Sequence, residues 1–87
     1  MTAVLIPSQL QSYCGGATRL EAAGATVDDV LRDLDARFRG IRFRVIDEQD
    51  RVRRHIRIFV GGEGVEDIGR AVADGEEVLI FGALSGG

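Results

Sequence analysis

The sequence lacks lysine and tryptophan altogether, and it holds one cysteine, one histidine and one proline. A single cysteine excludes an internal disulfide, which agrees with a reducing compartment. One cysteine and one histidine also cannot supply the ligand set of a structural zinc site, so we expect no metal. Cys14 is interpreted either as a nucleophile or as an incidental loop thiol. His55 has no evident link to it, because it falls in a predicted strand.

Long hydrophobic runs are missing as well. No apolar stretch approaches the roughly 18 residues that a membrane-spanning helix needs, and the N-terminus lacks the basic and long apolar regions of a signal peptide. We therefore expect a cytoplasmic protein with no membrane partner. The net charge of −3 gives no basic field for nucleic acid, so we expect no nucleic-acid partner either.

Arginine supplies all of the strongly basic side chains, eleven in number. The one basic concentration consists of Arg51, Arg53, Arg54 and Arg57. Two interpretations are open for it: a solvated strand face, or a docking patch for an acidic partner.

The length of 87 residues allows one domain with a small core. The hydrophobic fraction of 45% and the charged fraction of 29% are ordinary for a globular domain. A chain of this size has little room for an enclosed active site. We therefore expect it to present a single group to a larger partner.

The clearest predicted element is a helix that begins after Thr26. Threonine is favoured at the N-cap, and Asp28 and Asp29 suit the positive end of the helix dipole. Apolar side chains recur at helical spacing before Gly40 ends the pattern. This apolar stripe consists of Val27, Val30, Leu31, Leu34 and Phe38.

Strands are predicted on both sides of this helix. Residues 2–6 and 18–22 are typical of two paired strands, although the connection 8–16 is long for a tight turn. Residues 52–60 alternate with period two, residues 77–81 form a last strand, and residues 41–46 are either a short strand or an irregular connection. The glycines in 61–64 are typical of a hairpin turn rather than of a phosphate loop, because they do not open a helix. The order of elements shows no βαβ rhythm and predicts an α+β domain, with a mixed sheet wrapped on one main helix.

Alternation along the last two long strands separates two sheet faces. Ile56, Ile58, Val60, Val78 and Ile80 are predicted to face the helix. Phe59, Leu79 and Phe81 then lie on the opposite face, with Arg57 nearby. Large apolar residues exposed on a small protein often mark an interface, unless the loop 61–74 folds back and covers them.

The last strand leads into a short tail that ends on Gly86-Gly87. Glycine has no Cβ, so this end places a carboxylate on a narrow, flexible stalk that can pass through a channel in another protein. The alternative interpretation is a frayed end, since termini are commonly disordered. We expect a folded domain over residues 1–82 and a flexible tail over residues 83–87.

Together, the segment 56–60, the turn 73–78 and the terminal Gly86-Gly87 resemble the MoaD/ThiS family of sulfur carriers, which are ubiquitin-like β-grasp proteins. The resemblance covers nearly the whole chain and is most specific over residues 74–87. The segment around Arg54-His55 is most similar to actinobacterial carriers that serve cysteine biosynthesis. One departure is Gly82-Ala83, where many relatives carry proline.

The resemblance implies a carrier rather than an enzyme. The chain would bind no cofactor itself, whereas a partner E1-like adenylyltransferase/sulfurtransferase would use ATP to adenylate Gly87. The thiocarboxylate formed there would deliver sulfur inside a downstream sulfur-accepting synthase. The residues so implied are Gly87 as the modified residue, Gly86, Ser85 and Leu84 as the tail, and Phe81, Phe59, Leu79 and Arg57 as partner contacts.

The final use of the sulfur stays open: it could serve the biosynthesis of cysteine, of molybdopterin or of a natural product. Two other hypotheses for the function also stay open. A ubiquitin-like modifier would join the same diglycine to lysines of other proteins, although the absence of lysine here leaves no side-chain amine to capture a sister molecule. In a third hypothesis the tail is inert and the chain is an interaction domain.

Overall fold

A mixed five-stranded sheet forms the framework of the domain. A computed structural model describes residues 1–82. The strands are β1 (Thr2–Leu5), β2 (Arg19–Ala22), β3 (Ile56–Val60), β4 (Glu63–Val65) and β5 (Val78–Gly82). Their order across the sheet is β2-β1-β5-β3-β4. β1 and β5 run parallel, and the other neighbours are antiparallel. The predicted α+β architecture is therefore present, although the strand predicted from residue 52 begins at Ile56.

The main helix α1 (Val27–Arg37) lies against one face of this sheet. It begins where the sequence predicts, because the Thr26 hydroxyl oxygen accepts a hydrogen bond of 3.1 Å from the backbone N–H of Asp29. Its buried stripe is the predicted one, apart from the partly buried Phe38. The helix therefore closes the core.

The side chains between helix and sheet are almost entirely aliphatic. The five residues predicted to face the helix are all buried, and Val4 of β1 joins them. They are Ile56, Ile58, Val60, Val78 and Ile80. Burial of this aliphatic surface is the main favourable term in folding, at about 25 cal/mol for each Å² removed from water.

Residues 41–46 form neither a strand nor an irregular connection. They contain a short helix, α2 (Ile41–Val45), which begins after Gly40 with φ of 94°. The Asp35 carboxylate accepts hydrogen bonds from the backbone N–H groups of Gly40 and Arg42, at 3.0 and 3.1 Å. Ile41 and Val45, four residues apart, are both buried. The apolar residues of this segment therefore lie on the buried face of a helix and do not belong to one face of a sheet.

The long connection after β1 is also ordered, as a 3-10 helix over Ser8–Cys14. It buries Leu10 and Cys14, the latter with 2% of its surface exposed. Burial raises the pKa of the Cys14 thiol. Cys14 is thus a core side chain rather than the loop thiol of the sequence interpretation, and its environment disfavours a thiolate nucleophile.

The glycines after β3 make the predicted hairpin turn. Gly61 and Gly62 have φ of 57° and 85°, and the flanking Val60 and Glu63 are paired. Positive φ at both central residues is the requirement of a type I′ turn, which matches the twist of the strands. The turn leads into β4, which the sequence analysis did not predict. None of the helices within residues 1–82 has the length and hydrophobicity needed to span a membrane.

Candidate functional site

The outer face of the sheet brings together the four residues predicted to contact a partner. In the antiparallel register of β3 and β5, Phe59 lies opposite Leu79 and Arg57 lies opposite Phe81. Side chains of directly opposed residues are neighbours on one face of a sheet. Phe81 is 54% exposed, Leu79 is 36% exposed, and Phe59 is half-buried. We call Phe59, Leu79 and Phe81, with Leu5, the apolar patch.

Leu5 joins this patch from the neighbouring strand, because it pairs with Leu79 in the parallel register of β1 and β5. It is half-buried. Sequence reasoning missed Leu5, because the apolar run over residues 2–6 hides the alternation in which Val4 points inward. The period-two rule applied from the buried Val4 would have found it.

The segment after β3 leaves most of the patch uncovered. β4 pairs with the far edge of β3, where Gly64 lies opposite Phe59. A Cβ at Gly64 would lie 3.7 Å from the Phe59 ring, so the backbone of β4 passes close to this ring. Leu79 and Phe81 stay exposed. The alternative in which residues 61–74 cover the patch is therefore wrong for these two side chains.

Arg57 is held in place beside the patch. Its Nη1 donates hydrogen bonds to the backbone carbonyls of Arg54, at 2.7 Å, and of Ile56, at 3.0 Å. These acceptors are neutral, so the cationic charge of Arg57 is fixed in position without being cancelled. The outer face therefore combines exposed aromatic surface with an oriented guanidinium, two residue types enriched at protein interfaces.

The root of the tail has a defined position at the end of β5. Gly82 pairs with Ile56, and its carbonyl accepts a hydrogen bond of 2.8 Å from the Gln9 side-chain amide. A Cβ at Gly82 would lie 2.7 Å from the same Gln9 amide, so glycine leaves the room that this contact needs. Gln9 was not singled out from the sequence, because only the fold brings the 3-10 helix to the end of β5.

The predicted tail residues Leu84, Ser85, Gly86 and Gly87 lie outside the described residues, as does the proposed boundary at residue 83. The structure does establish which way the chain is heading when it reaches that boundary. β5 runs along the sheet from Val78 to Gly82 and passes Phe81 on the exposed face one residue earlier. The last described residue, Gly82, therefore lies beside the apolar patch.

The charged groups around the patch act mainly as local supports. Arg19 and Glu77 form an ion pair of 3.1 Å whose side chains are both more than half exposed, so it adds little stability. Glu76 accepts a hydrogen bond from the backbone N–H of Ala73, and this bond together with Arg70 holds the pKa of Glu76 below its ordinary value. These interactions stabilise the turn before β5.

A shallow, open depression beside the patch is lined by Leu5, Phe59 and Leu79 and bordered by Glu76 and Glu77. Within residues 1–82, no group of three or more His, Cys, Asp or Glu side chains is arranged to hold a metal ion. The geometry suits docking against another protein.

The fold is that of a known class of proteins. The structure superposes on the crystal structure of the Amycolatopsis orientalis BexX/CysO complex with a TM-score of 0.91 and 33% sequence identity, over the whole of both chains. This similarity confirms the ubiquitin-like β-grasp fold.

Sequence comparison identifies the family. The model of the ThiS family matches residues 4–87, and the chain belongs to that family. It is 36% identical to the sulfur carrier protein CysO of Mycobacterium tuberculosis (strain H37Rv) over 89 residues, which cover 97% of this chain and 96% of that protein. It is also 35% identical to small archaeal modifier protein 3 of Haloferax volcanii over 66 residues, which cover 72% and 71% of the two chains. The predicted resemblance to sulfur carriers is therefore confirmed.

Proposed function

We propose that this chain is a sulfur carrier whose reactive group is the C-terminal carboxylate of Gly87. The observation that carries the proposal is the ThiS-family match, which extends through the diglycine end and is joined by whole-length similarity to a sulfur carrier. The fold supports it, because β5 ends at Gly82 beside an exposed apolar patch on which a larger protein can dock.

The chemistry has two steps, both carried out by partners. An E1-like adenylyltransferase first joins the Gly87 carboxylate to AMP from ATP and releases pyrophosphate, because a free carboxylate is a poor electrophile. A sulfide-equivalent donor then attacks the acyl carbon and expels AMP, which leaves a terminal thiocarboxylate. A downstream synthase takes up this nucleophilic sulfur. In this scheme the chain binds no ATP, and its role is to present the end of its backbone.

The acceptor chemistry belongs to the second enzyme. Three acceptors fit a thiocarboxylate donor: a cysteine precursor, the dithiolene of molybdopterin, and a natural product. Similarity to CysO proteins along the whole chain favours the first of these. We therefore place cysteine biosynthesis first among the three.

Mass spectrometry of the protein purified from its native cells tests the proposal. Replacement of one terminal oxygen by sulfur adds about 16 Da to the intact mass. Oxidation of Met1 or Cys14 adds nearly the same mass, so the change must be located by fragmentation. Arg70 is the last basic residue, and trypsin therefore releases residues 71–87 as one peptide that contains the modified end.

The matched control is the same chain with one alanine appended after Gly87, which keeps the fold and moves the carboxylate. We expect the mass gain from sulfur on peptide 71–87 of the wild-type chain and no such gain on the chain with the added alanine. A carrier that passes sulfur onward equally well with the extra alanine would refute the proposal. So would a variant lacking the last two residues that keeps its function.

A second candidate function is protein modification through the same diglycine, and the similarity to small archaeal modifier protein 3 favours it. Conjugates would carry residues 71–87 on lysines of other proteins after trypsin digestion. Because this chain has no lysine, chains of linked copies through side-chain amines cannot form. Detection of the lysine-linked peptide would support the modifier function, and its absence beside a thiocarboxylate would support the carrier function alone.

A further inference from the structure

The arginines of this chain divide into two groups by their surroundings. Within residues 1–82, five of the eleven form ion pairs with carboxylates. These five are Arg19, Arg32, Arg37, Arg42 and Arg70. The other arginines form no ion pair in that part of the chain, and all of these except Arg39 fall between residues 44 and 57. The arginines that form no ion pair are therefore concentrated on one segment, which also contains Asp47, Glu48 and Asp50.

Four of these residues line one groove, and we call Arg51, Arg53, Arg54 and Arg57 the basic patch. The interpretation of these four arginines as a solvated strand face is wrong, because only Arg57 belongs to a strand. The other three precede β3 in the connection from α2. Glu66 is the one acidic side chain in the lining of this groove.

Hydrogen bonds to neutral groups hold part of the patch in place. Arg53 Nε donates to the carbonyl of Phe43 at 2.6 Å, and its guanidinium lies 4.4 Å from the centre of the Phe43 ring. Arg57 is fixed to the carbonyl of Arg54 as described above. The nearby Asp47 carboxylate accepts hydrogen bonds from backbone N–H groups within its own turn and also attracts Arg53 and Arg51, so it offsets part of their charge. With four arginines against Asp47 and Glu66, the patch stays net positive.

The position of the patch connects it with the tail. Arg57 lies opposite Phe81, and the adjacent Ile56 lies opposite Gly82, the last described residue. The groove that contains Arg54 and Arg57 therefore borders the point where the chain leaves the sheet. A protein that binds the chain where it leaves the sheet would therefore lie close to Arg54 and Arg57.

We propose that the basic patch docks on an acidic rim around the tail channel of the adenylating enzyme. This inference rests on the proposed carrier function. Guanidinium groups suit carboxylates because their planar fork donates two parallel hydrogen bonds. Nucleic acid is a poorer fit, since the whole chain carries a net charge of −3 and would repel a polyanion beyond the patch. Such a charged contact speeds and orients docking and weakens in salt.

The test compares two variants with the same change of charge. Arg54 is exposed, and its guanidinium donates no hydrogen bond within residues 1–82, so Arg54→Glu removes little from the fold. Arg39 is also exposed and free of ion pairs in that range, but it lies in the linker between α1 and α2, outside the groove. The adenylating enzyme that co-purifies with the carrier is assayed by carrier-dependent exchange of pyrophosphate into ATP, at low salt and at 1 M salt.

We expect Arg54→Glu to raise KM for the carrier about tenfold at low salt with kcat unchanged, and Arg39→Glu to change KM less than about twofold. The difference should nearly vanish at 1 M salt, where the Debye length is about 3 Å. Equal KM values for the two variants, or a difference that persists at 1 M salt, would overturn the docking inference while the wild-type exchange upholds the carrier function.

Two further outcomes separate the alternatives. If wild-type carrier supports no exchange at all, the carrier function fails and the inference fails with it. If a fluorescent duplex DNA binds wild-type carrier at 150 mM salt and Arg54→Glu abolishes that binding, the patch recognises nucleic acid and the inference is wrong.

Discussion

Two neighbouring residues of β5 provide a direct test of which sheet face holds the fold and which face binds a partner. Ile80 is 1% exposed in the core, and Phe81 is 54% exposed in the apolar patch. Truncation of a buried isoleucine to alanine costs about 2–5 kcal/mol. For a domain of this size, each kcal/mol lowers Tm by about 4–8 °C. We therefore expect Ile80→Ala to lower Tm by roughly 8–40 °C.

Truncation of Phe81 should have a small effect on stability and a large effect on partner binding. Full burial of a phenylalanine side chain contributes about 1.5–3 kcal/mol, and this ring is only about half-buried, so Phe81→Ala should cost roughly 1 kcal/mol of stability. On docking, the exposed half of the ring is removed from water. A central aromatic contact of this kind is worth about 1–2 kcal/mol or more, which raises Kd for the partner roughly five- to thirtyfold.

Both quantities can be measured on the same samples. Thermal unfolding followed by circular dichroism gives Tm, and titration calorimetry with the adenylating enzyme gives Kd at a temperature where Ile80→Ala remains folded. We expect the isoleucine variant to bind with nearly wild-type affinity and the phenylalanine variant to melt only about 4–8 °C below wild type. An equal loss of Tm in both, or unchanged binding by Phe81→Ala, would refute the assignment of faces.

Two further predictions concern the stability of the fold. At Gly24, with φ of 156°, an added Cβ would lie within 2.6–2.8 Å of atoms of α1, whereas Gly16, with φ of 84°, faces open space. Gly24→Ala should therefore lower the free energy of unfolding in urea by about 3 kcal/mol, and Gly16→Ala by about 1–2 kcal/mol. Equal losses would contradict the packing of Gly24 against α1. Partial burial raises the pKa of Asp28, but hydrogen bonds from Arg32 and Arg42 outweigh it and the net pKa is lowered. A lowered pKa stabilises the fold above the unfolded-state value near 4 and loses this effect as the pH falls through the folded-state value, so the stability gap between wild type and Asp28→Asn should shrink between about pH 5 and pH 2. A gap that stays constant over this range would count against the ion pairs.

Local chemistry made several elements predictable from the sequence. The helix α1 has its cap at Thr26, acidic residues in its first turn and a continuous apolar stripe, and all three agree on one position. The alternation in β3 and β5 likewise assigned Phe59 and Phe81 to the outer face, because a strand has two distinct faces. Where propensity, pattern and caps agree, sequence reasoning succeeds.

Other features depend on contacts that are distant in sequence. α2 was missed because its five residues alternate apolar and basic side chains, and its start depends on capping by Asp35. β4 is only three residues long and exists because the glycine turn pairs it with β3. The support of the tail root by Gln9 joins residues 73 positions apart. None of these three features can be predicted from the sequence pattern, because each one depends on contacts that form only in the completed fold.

The last strand lies in the interior of the sheet, with β1 on one side and β3 on the other. Traction on residue 82 along the strand axis would load the hydrogen bonds of both neighbours together in shear, rather than opening them one after another as at a free edge. An enzyme that binds and pulls the end of this chain can therefore release it again without unfolding the domain. In the proposed carrier function, the domain would serve as a mechanical anchor during repeated rounds of sulfur loading and release.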